Sequence, residues 1–185
     1  MGRLRMAPGM LSQTYWATRY DIEDASPRAP SGRRRYRGTQ REGGTPMPSF
    51  STISHLDLTV SDAERSAAWY VDTLGLQRAR RSDLDNRIMI VLVHPATGVV
   101  IGLNQHHEQT ADRFDEHRPG LDHVGFTVSD RDELEQWEAR LSELGVDHSP
   151  VTDSASGSGT ALVFRDPDNI QLEFWWTRPK DKPAG

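Results

Sequence analysis

Two histidines and one glutamate stand where they could bind a divalent metal ion. His55 and His123 begin matching eight-residue segments, and Glu173 lies in the last apolar segment of the chain. Two neutral imidazoles and one carboxylate can ligate an ion on one side and leave its other positions open, as in non-haem Fe(II) sites. Each residue taken alone is explained equally well as a solvated or hydrogen-bonded side chain. The hypothesis of a metal site therefore depends on the elements that carry the three residues.

The chain repeats itself from about residue 53 onward. The segment 55–62 (HLDLTVSD) matches 123–130 (HVGFTVSD) at an offset of 68 residues, and the same offset places Trp69 on Trp137. Two copies of one supersecondary unit explain this pattern. We expect module one at about 53–104 and module two at about 120–176.

The sequence pattern of each module predicts a βαβββ unit. Alternation in the first strand puts Leu56 and Leu58 on one face and His55 on the other, and the second copy alternates in the same way. Ser61 and Ser129 resemble the starts of capping boxes, which predicts a helix after each first strand. The clearest later strands are Arg87–Val93, Val99–Leu103, Ala161–Phe164 and Ile170–Trp175.

Side-chain alternation puts all three candidate ligands on the polar faces of their strands. His55 and His123 lie on the polar faces of equivalent strands, and Glu173 alternates with the apolar Leu172 and Phe174. A pseudo-twofold relation between the modules would bring the two histidines to one cleft. Trp69 and Trp137 are expected in the core beside the helices.

Composition excludes several classes of protein. The 185 residues include no cysteine, which excludes disulfides, thiolate metal sites and a cysteine nucleophile. Residues 1–46 carry nine Arg and four acidic groups, and 47–185 carry 13 basic and 23 acidic groups. A domain this acidic is a poor partner for nucleic acid. The chain also lacks the ~20 apolar residues of a membrane span. We expect a disordered basic tail at 1–46, a domain at 47–178, a short tail at 179–185, and a cytoplasmic location.

Four stretches resemble the vicinal oxygen chelate superfamily, which includes glyoxalase I, extradiol dioxygenases, fosfomycin-resistance transferases and bleomycin-binding proteins. They are Ser54–Asp62, Trp69–Leu76, Gly120–Val128 and Phe164–Phe174. The resemblance implies an α+β fold in which two tandem βαβββ modules form an open, curled sheet around a metal cavity. It also implies metal ligands at His55, His123 and Glu173.

One position departs from the glyoxalase I pattern, which has a fourth protein ligand on the last strand of module one. Aligning Val99–Leu103 with Ile170–Phe174 puts Gly102 opposite Glu173, and glycine offers no ligand. The remaining set of two histidines and one glutamate resembles that of extradiol dioxygenases and fosfomycin transferases. A Gly102→Glu change is expected to add a fourth ligand facing the cavity.

Other polar residues are candidates for catalysis and substrate binding. His106 and His107 follow the fourth strand and could move protons near neutral pH, although a plain surface loop explains them as well. Asn104, Arg118 and Trp175 are candidates for lining the substrate cavity.

The leading hypothesis is a metal-dependent enzyme that chelates two adjacent oxygens of a small molecule. An extradiol-dioxygenase-like reaction with Fe2+ is favoured, while Mn2+, Ni2+ or Zn2+ would suit a glyoxalase-like lyase or isomerase or a fosfomycin-type transferase. The alternative from another class is a non-catalytic drug- or metabolite-binding protein of the bleomycin-resistance type. The site is expected either within one chain or across a homodimer.

Overall fold

The computed structural model describes residues 50–110 and 112–179. The predicted tail at 1–46 and residues 180–185 lie outside the described residues. The elements alternate in two similar groups along the chain. They are β1 (Leu56–Thr59), α1 (Ala63–Leu74), β2 (Gln77–Leu84), β3 (Arg87–Val93), β4 (Val100–His106), β5 (Val124–Thr127), α2 (Arg131–Glu143), β6 (Thr152–Asp153), β7 (Gly159–Arg165) and β8 (Gln171–Thr177).

The strands form two four-stranded sheets of identical topology. Sheet one has the order β1-β4-β3-β2, and sheet two has the order β5-β8-β7-β6. In each sheet the first and last strands pair in parallel, while the other pairs are antiparallel. The predicted α+β fold of two βαβββ modules is confirmed.

Both helices begin at an aspartate rather than at the predicted serine. The side chain of Asp62 accepts hydrogen bonds from the backbone N–H groups of Glu64 and Arg65, and Asp130 accepts one from that of Glu133. The prediction of N-caps at Ser61 and Ser129 is therefore wrong by one residue, because aspartate caps a helix as well as serine does. Neither helix is long and apolar enough to cross a membrane.

A single apolar core joins the two modules. Sheet one contributes the side chains of β1, β3 and β4 that face α1, and sheet two contributes those of β7 and β8 that face α2. Trp137 stacks on Phe174 with ring centroids 4.3 Å apart, and Trp69 of α1 lies 6.4 Å from Phe164 of β7. Both tryptophans are core residues, as predicted. The fully buried members include Tyr70, Ile90, Leu92, Ile101, Leu103, Leu134, Leu141, Leu162, Phe164 and Leu172.

A buried polar contact fixes α1 against the β7–β8 turn of module two. Asp168 accepts hydrogen bonds from the Ser61 backbone N–H, from the hydroxyls of Ser61 and Ser66, and from Arg65. Asp166 accepts one from the Tyr70 hydroxyl at 3.1 Å. Because both carboxylates are buried, these bonds determine how the modules pack. We call this set of residues the intermodule clasp.

Candidate metal centre

The polar face of each sheet is turned away from the shared core. In sheet two this face carries Gly125 and Glu173, which are register partners, while Leu172 and Phe174 face the core. His123 precedes Gly125 by two residues and lies on the same face, since side chains alternate along a strand. Module two therefore places an imidazole and a carboxylate side by side on one exposed surface.

His123 and Glu173 have the spacing of two ligands of one ion. Nε2 of His123 lies 3.5 Å from Oε1 of Glu173, and their side chains are 38% and 18% exposed. Donors ~2.0–2.2 Å from an ion, at angles near 90–110°, are themselves ~3.0–3.5 Å apart. The pair therefore fits a divalent ion with little movement of either side chain.

A second carboxylate orients His123. Oδ1 of Asp122 lies 2.5 Å from Nδ1 of His123 and accepts a hydrogen bond from its N–H. In the neutral ring the lone pair is then on Nε2, toward Glu173. Carboxylate–histidine pairs of this kind fix the ring of a metal-binding histidine. The hydrogen bond to Asp122, with the negative charge of Glu173, raises the pKa of His123. Protons therefore compete more strongly with a metal ion for this ring.

The first-strand histidine of module one is held in a related way. Nδ1 of His55 lies 2.8 Å from Oγ of Ser54, which occupies the position equivalent to Asp122. His55 is exposed and immediately precedes β1. Both histidines are thus fixed through Nδ1 by the residue before them, although by a neutral hydroxyl in module one.

Within one chain the structure does not bring His55 to the other two candidate ligands. Among the described residues, one group of three His or acidic side chains has ligand atoms within 4.8 Å of one another, and it is Asp115, Glu116 and His117. This group lies in the connector between the modules, on the loop before β5. Of the predicted set, His123 and Glu173 converge and His55 stands apart.

The connector group has a structural explanation. Arg165 of β7 donates hydrogen bonds to both carboxylate oxygens of Glu116, and this lowers the pKa of Glu116 to about 2. The backbone and ring of His117 donate to Asp115. Both carboxylates are already used in holding the connector, and we assign no metal to them.

The polar face of sheet one extends along β4 from Gly102 to His106. Asn104 lies on this face and is 7% exposed, and its carboxamide makes no side-chain hydrogen bond with the residues that the structure describes. His106 is half-buried on the same face, whereas His107 follows the strand and falls on the opposite parity. His106 lies six residues along β4 from the residue that is level with His55, a distance of ~20 Å. Neither histidine therefore lies near the candidate ligands.

Sequence reasoning missed the residues of β3 that complete this face. Arg87 is the register partner of His106, and its Nε atom is buried without a hydrogen-bond partner. Met89 and Val91 are buried on the same face and form an apolar floor. The signal was weak because β3 reads as an apolar run whose two faces cannot be distinguished.

The remaining predicted substrate residues differ in position. Trp175 shares the polar face of sheet two with Glu173, and its indole lies over Gly159, where a Cβ atom would come 2.5 Å from the ring. Arg118 is 64% exposed and pairs with Asp112 and Asp115 of the connector. Trp175 therefore lies on the same polar face as Glu173, whereas Arg118 belongs to the connector.

The expected alignment of Gly102 with Glu173 is present, and the effect of a glutamate at Gly102 stays a prediction. Gly102 pairs with Asp57, just as Glu173 pairs with Gly125. A Cβ atom at Gly102 would lie 1.9 Å from Oδ1 of Asp57. A side chain at Gly102 would therefore have to displace the carboxylate of Asp57, which is the end of an exposed side chain.

Comparison with known proteins agrees with this fold. A family model described as the glyoxalase/bleomycin resistance protein/dioxygenase superfamily matches residues 52–174. The chain belongs to this superfamily. The uncharacterized protein YwkD of Bacillus subtilis is 31% identical over 128 residues, which are 68% of this chain and 97% of YwkD.

Solved structures of the superfamily are similar to this chain. A glyoxylase/bleomycin resistance protein/dioxygenase domain from Frankia sp. is 38% identical with a TM-score of 0.65, over 70% of this chain and 94% of that one. A glyoxalase family protein from Enterococcus faecalis is 23% identical with a TM-score of 0.59, over 68% and 98%. A fosfomycin resistance protein, FosX, from Listeria monocytogenes is 21% identical with a TM-score of 0.53, over 68% and 90%, and was crystallised with Mn(II) and a dihydroxypropylphosphonic acid.

Proposed function

We propose that this protein is a divalent-metal-dependent enzyme acting on a small molecule with two adjacent oxygens. The ion is held by His55, His123 and Glu173. The observation that carries the proposal is the pair formed by His123 and Glu173, 3.5 Å apart, with Asp122 orienting the histidine ring.

The third ligand comes from a second copy of the chain. The polar faces that carry His55 and His123 both point away from the core that the two modules share. A two-fold axis would place module one of one copy over module two of the other, and would complete two equivalent sites. This arrangement explains why a single chain holds an ordered pair of ligands and a separate third.

When bound, the ion supplies Lewis-acid chemistry and a template for the two substrate oxygens. The chain's own residues then position the rest of the substrate. Met89 and Val91 provide an apolar floor, Asn104 offers an unpaired amide above it, and Arg87 and His106 lie at the distal end. At that distance His106 contacts the remote part of the substrate and not the chelated oxygens.

The number of protein donors decides the class of reaction. Three donors leave open positions for a catechol-like substrate and dioxygen, which favours extradiol ring cleavage with Fe2+. Four donors leave two positions, which suits an isomerase or lyase with Mn2+, Ni2+ or Zn2+. The Mn(II) of FosX belongs to a relative of the same fold and supports a divalent ion here.

Metal analysis of protein purified without chelator tests the proposal. We expect about one ion per chain, and loss of binding in His55→Ala, His123→Ala and Glu173→Gln. The matched control is His117→Ala, a histidine that is 87% exposed in the connector. Wild-type protein that binds no divalent ion would refute the proposal and favour the metabolite-binding alternative.

Mixing two defective chains tests the shared site. Co-expression of His55→Ala with Glu173→Gln gives mixed dimers in which one site has all three ligands and the other has lost two. With random pairing about a quarter of the sites are complete, and metal content recovers to that level. A mixture that binds as little metal as either variant alone would show that the site does not span two copies.

A further inference from the structure

One guanidinium on the polar face of sheet one is half-buried and unpaired. Arg87 of β3 makes no ion pair and no side-chain hydrogen bond with the residues that the structure describes, and its Nε atom is buried. The other half-buried arginines in the described part of the chain are both paired, Arg131 with Asp153 and Arg165 with Glu116. Arg87 therefore departs from the way this chain treats its other half-buried arginines.

An unpaired guanidinium in this position destabilises the fold. Arginine stays protonated in proteins, so it cannot escape burial of its charge by releasing a proton. Taking the charge partly out of water without a counter-charge is unfavourable. Acids are abundant in this part of the chain, since 47–185 carry 23 acidic and 13 basic groups. An arginine that stays unpaired among so many acids fits a ligand that brings the negative charge.

The polar side chains beside Arg87 are also unpaired. His106 is the register partner of Arg87 on β4, so their Cβ atoms lie ~5 Å apart. Asn104 is the partner of Met89, comes next along the same face, and is 7% exposed. Neither His106 nor Asn104 makes a side-chain hydrogen bond with the described residues. Three side chains that can donate hydrogen bonds therefore lie together at one end of sheet one.

The surroundings of these three side chains are apolar and contain no competing acid. Met89 is buried, and Leu84, the register partner of Arg87 on β2, is half-buried. Strands β2, β3 and β4 carry a single acid, Asp83, and it pairs with Arg81. An ionic hydrogen bond is stronger beside apolar side chains than in water, because the local dielectric constant is lower.

We propose that Arg87, with His106 and Asn104, forms a subsite for a carboxylate on the remote part of the substrate. The planar guanidinium presents two parallel N–H groups to a carboxylate, and the ring N–H of His106 and the amide of Asn104 donate to the same oxygens. One fixed positive charge matches a single negative charge, which favours a carboxylate over the nearly doubly charged phosphate group. Assigning this carboxylate to the substrate rests on the proposed function.

The position of the subsite sets the shape of the substrate. Arg87 is level with His106, ~20 Å along the strand direction from the level of His55, and the reach of the side chains shortens the gap between them. Met89 and Val91 line the face between these levels and are buried. The substrate is therefore an elongated acid with an apolar middle, a carboxylate at one end and the two chelated oxygens at the other.

Titration of metal-free protein labelled with 15N-arginine tests the subsite, because the Nε–H group of each arginine gives its own NMR signal. The probes are hexanoate, its neutral analogue hexanamide, and inorganic phosphate, at constant ionic strength. We expect hexanoate to shift the Arg87 signal and to bind about tenfold more tightly than hexanamide, since a charged hydrogen bond is the stronger one.

The variant Arg87→Met should lose hexanoate binding, as measured on the signals of hexanoate itself. The control is Arg113→Met, which removes an exposed, unpaired arginine of the connector and should bind hexanoate like wild type. An Arg87 signal that responds to none of the probes, or equal binding of hexanoate and hexanamide, would overturn the inference. Tighter binding of phosphate than of hexanoate would refute the assignment to a carboxylate.

The melting temperature of the metal-free protein separates a ligand-binding arginine from a structural one. Arg87→Met keeps the length of the side chain and removes a half-buried charge that has no partner, so we expect the melting temperature to rise by ~2–4 °C. An arginine that held the sheet together would give a fall instead. A lower melting temperature in Arg87→Met would therefore contradict the inference.

Mn2+ titration of the same proteins distinguishes this inference from the proposed function. Arg87→Met should bind Mn2+ like wild type, because Arg87 is remote from the level of His55. If wild type binds Mn2+ but the Arg87 signal does not respond to hexanoate, the proposed function stands and the subsite is refuted. If hexanoate binds at Arg87 while wild type binds no Mn2+, the metal site is refuted and the carboxylate subsite stands on its own.

Discussion

The two modules have the same topology, but module two brings more of its candidate site residues into contact than module one does. In module two, Asp122, His123 and Glu173 already form a continuous set, with an orienting hydrogen bond of 2.5 Å and two ligand atoms 3.5 Å apart. In module one, a neutral serine holds His55, and Asp57 of the first strand lies over Gly102 of the last strand. Module two is therefore the preorganised half of the site.

Module one instead has the more deeply buried residues on its polar face. Its polar face combines an apolar floor from β3 with an unpaired amide and a guanidinium whose Nε is buried without a partner. The corresponding face of module two is covered in part by Trp175 lying over Gly159. The comparison teaches that a structural repeat preserves where side chains point, while the chemistry of those side chains differs between the two copies.

The largest expected effect comes from breaking the intermodule clasp. Asp168→Ala removes the acceptor of a buried hydrogen bond from Ser66 and of part-buried ones from Ser61 and Arg65 of module one. Donors left unpaired in a buried contact cost about 3–5 kcal/mol of the free energy of unfolding. Urea unfolding followed by circular dichroism measures this loss.

The matched control for the clasp is Asp147→Ala, an exposed acid of the same module with an expected change within about 0.5 kcal/mol. A loss in Asp168→Ala that is no larger than in this control would show that the modules are held by their apolar core alone.

Much of this architecture was predictable from the sequence, because the repeat and the alternation are local patterns. The offset of 68 residues placed His55 on His123, and apolar alternation located β7 and β8. Strand β2 was not located, since Gln77–Leu84 is an exposed edge strand with polar residues on both faces. An edge strand with polar residues on both faces shows no apolar alternation from which it could be predicted.

The pairing of Asp57 with Gly102 and the clasp needed the structure. Both depend on which residues of distant strands lie side by side, and register is set by the three-dimensional packing of the sheet. A sequence signal did exist for the first, because Asp57 and Gly102 in module one answer Gly125 and Glu173 in module two. The separation of His55 from His123 and Glu173 within one chain also needed the structure, because strand alternation does not report distances between two sheets.

Converting the module-two arrangement into that of module one gives the next largest effect. Asp122→Ser places a hydroxyl behind His123, as Ser54 stands behind His55. A neutral hydroxyl holds Nδ1 less strongly than a carboxylate does and lowers the basicity of Nε2, so we expect metal affinity to fall ~10–100-fold. Calorimetric titration with Mn2+ measures the change, with Asp147→Ser as the control. Unchanged affinity would mean that module two is no more preorganised than module one.

The smallest expected effect is that the free energy of unfolding depends on pH through the intermodule clasp. This dependence distinguishes the buried clasp from the exposed polar faces. Burial raises the pKa of Asp166 from 3.8 to about 6. In the unfolded chain this carboxyl has its ordinary pKa, so the folded protein binds the proton more readily. Its protonation therefore stabilises the fold fully below the ordinary pKa, and the stabilisation is lost as the pH rises through about 6.

The variant Asp166→Asn isolates this effect, because the amide accepts the backbone hydrogen bonds of Asp168 and Ile170 but does not titrate. Between pH 7.5 and 4.5 the stability of the wild type should rise relative to that of the variant by about 2 kcal/mol. Urea unfolding of both proteins at several pH values measures the difference, and the other acids of the chain cancel in the comparison. A difference that stays constant with pH, or changes in the opposite direction, would show that Asp166 is ionised at its ordinary pKa and that the clasp tolerates two buried charges.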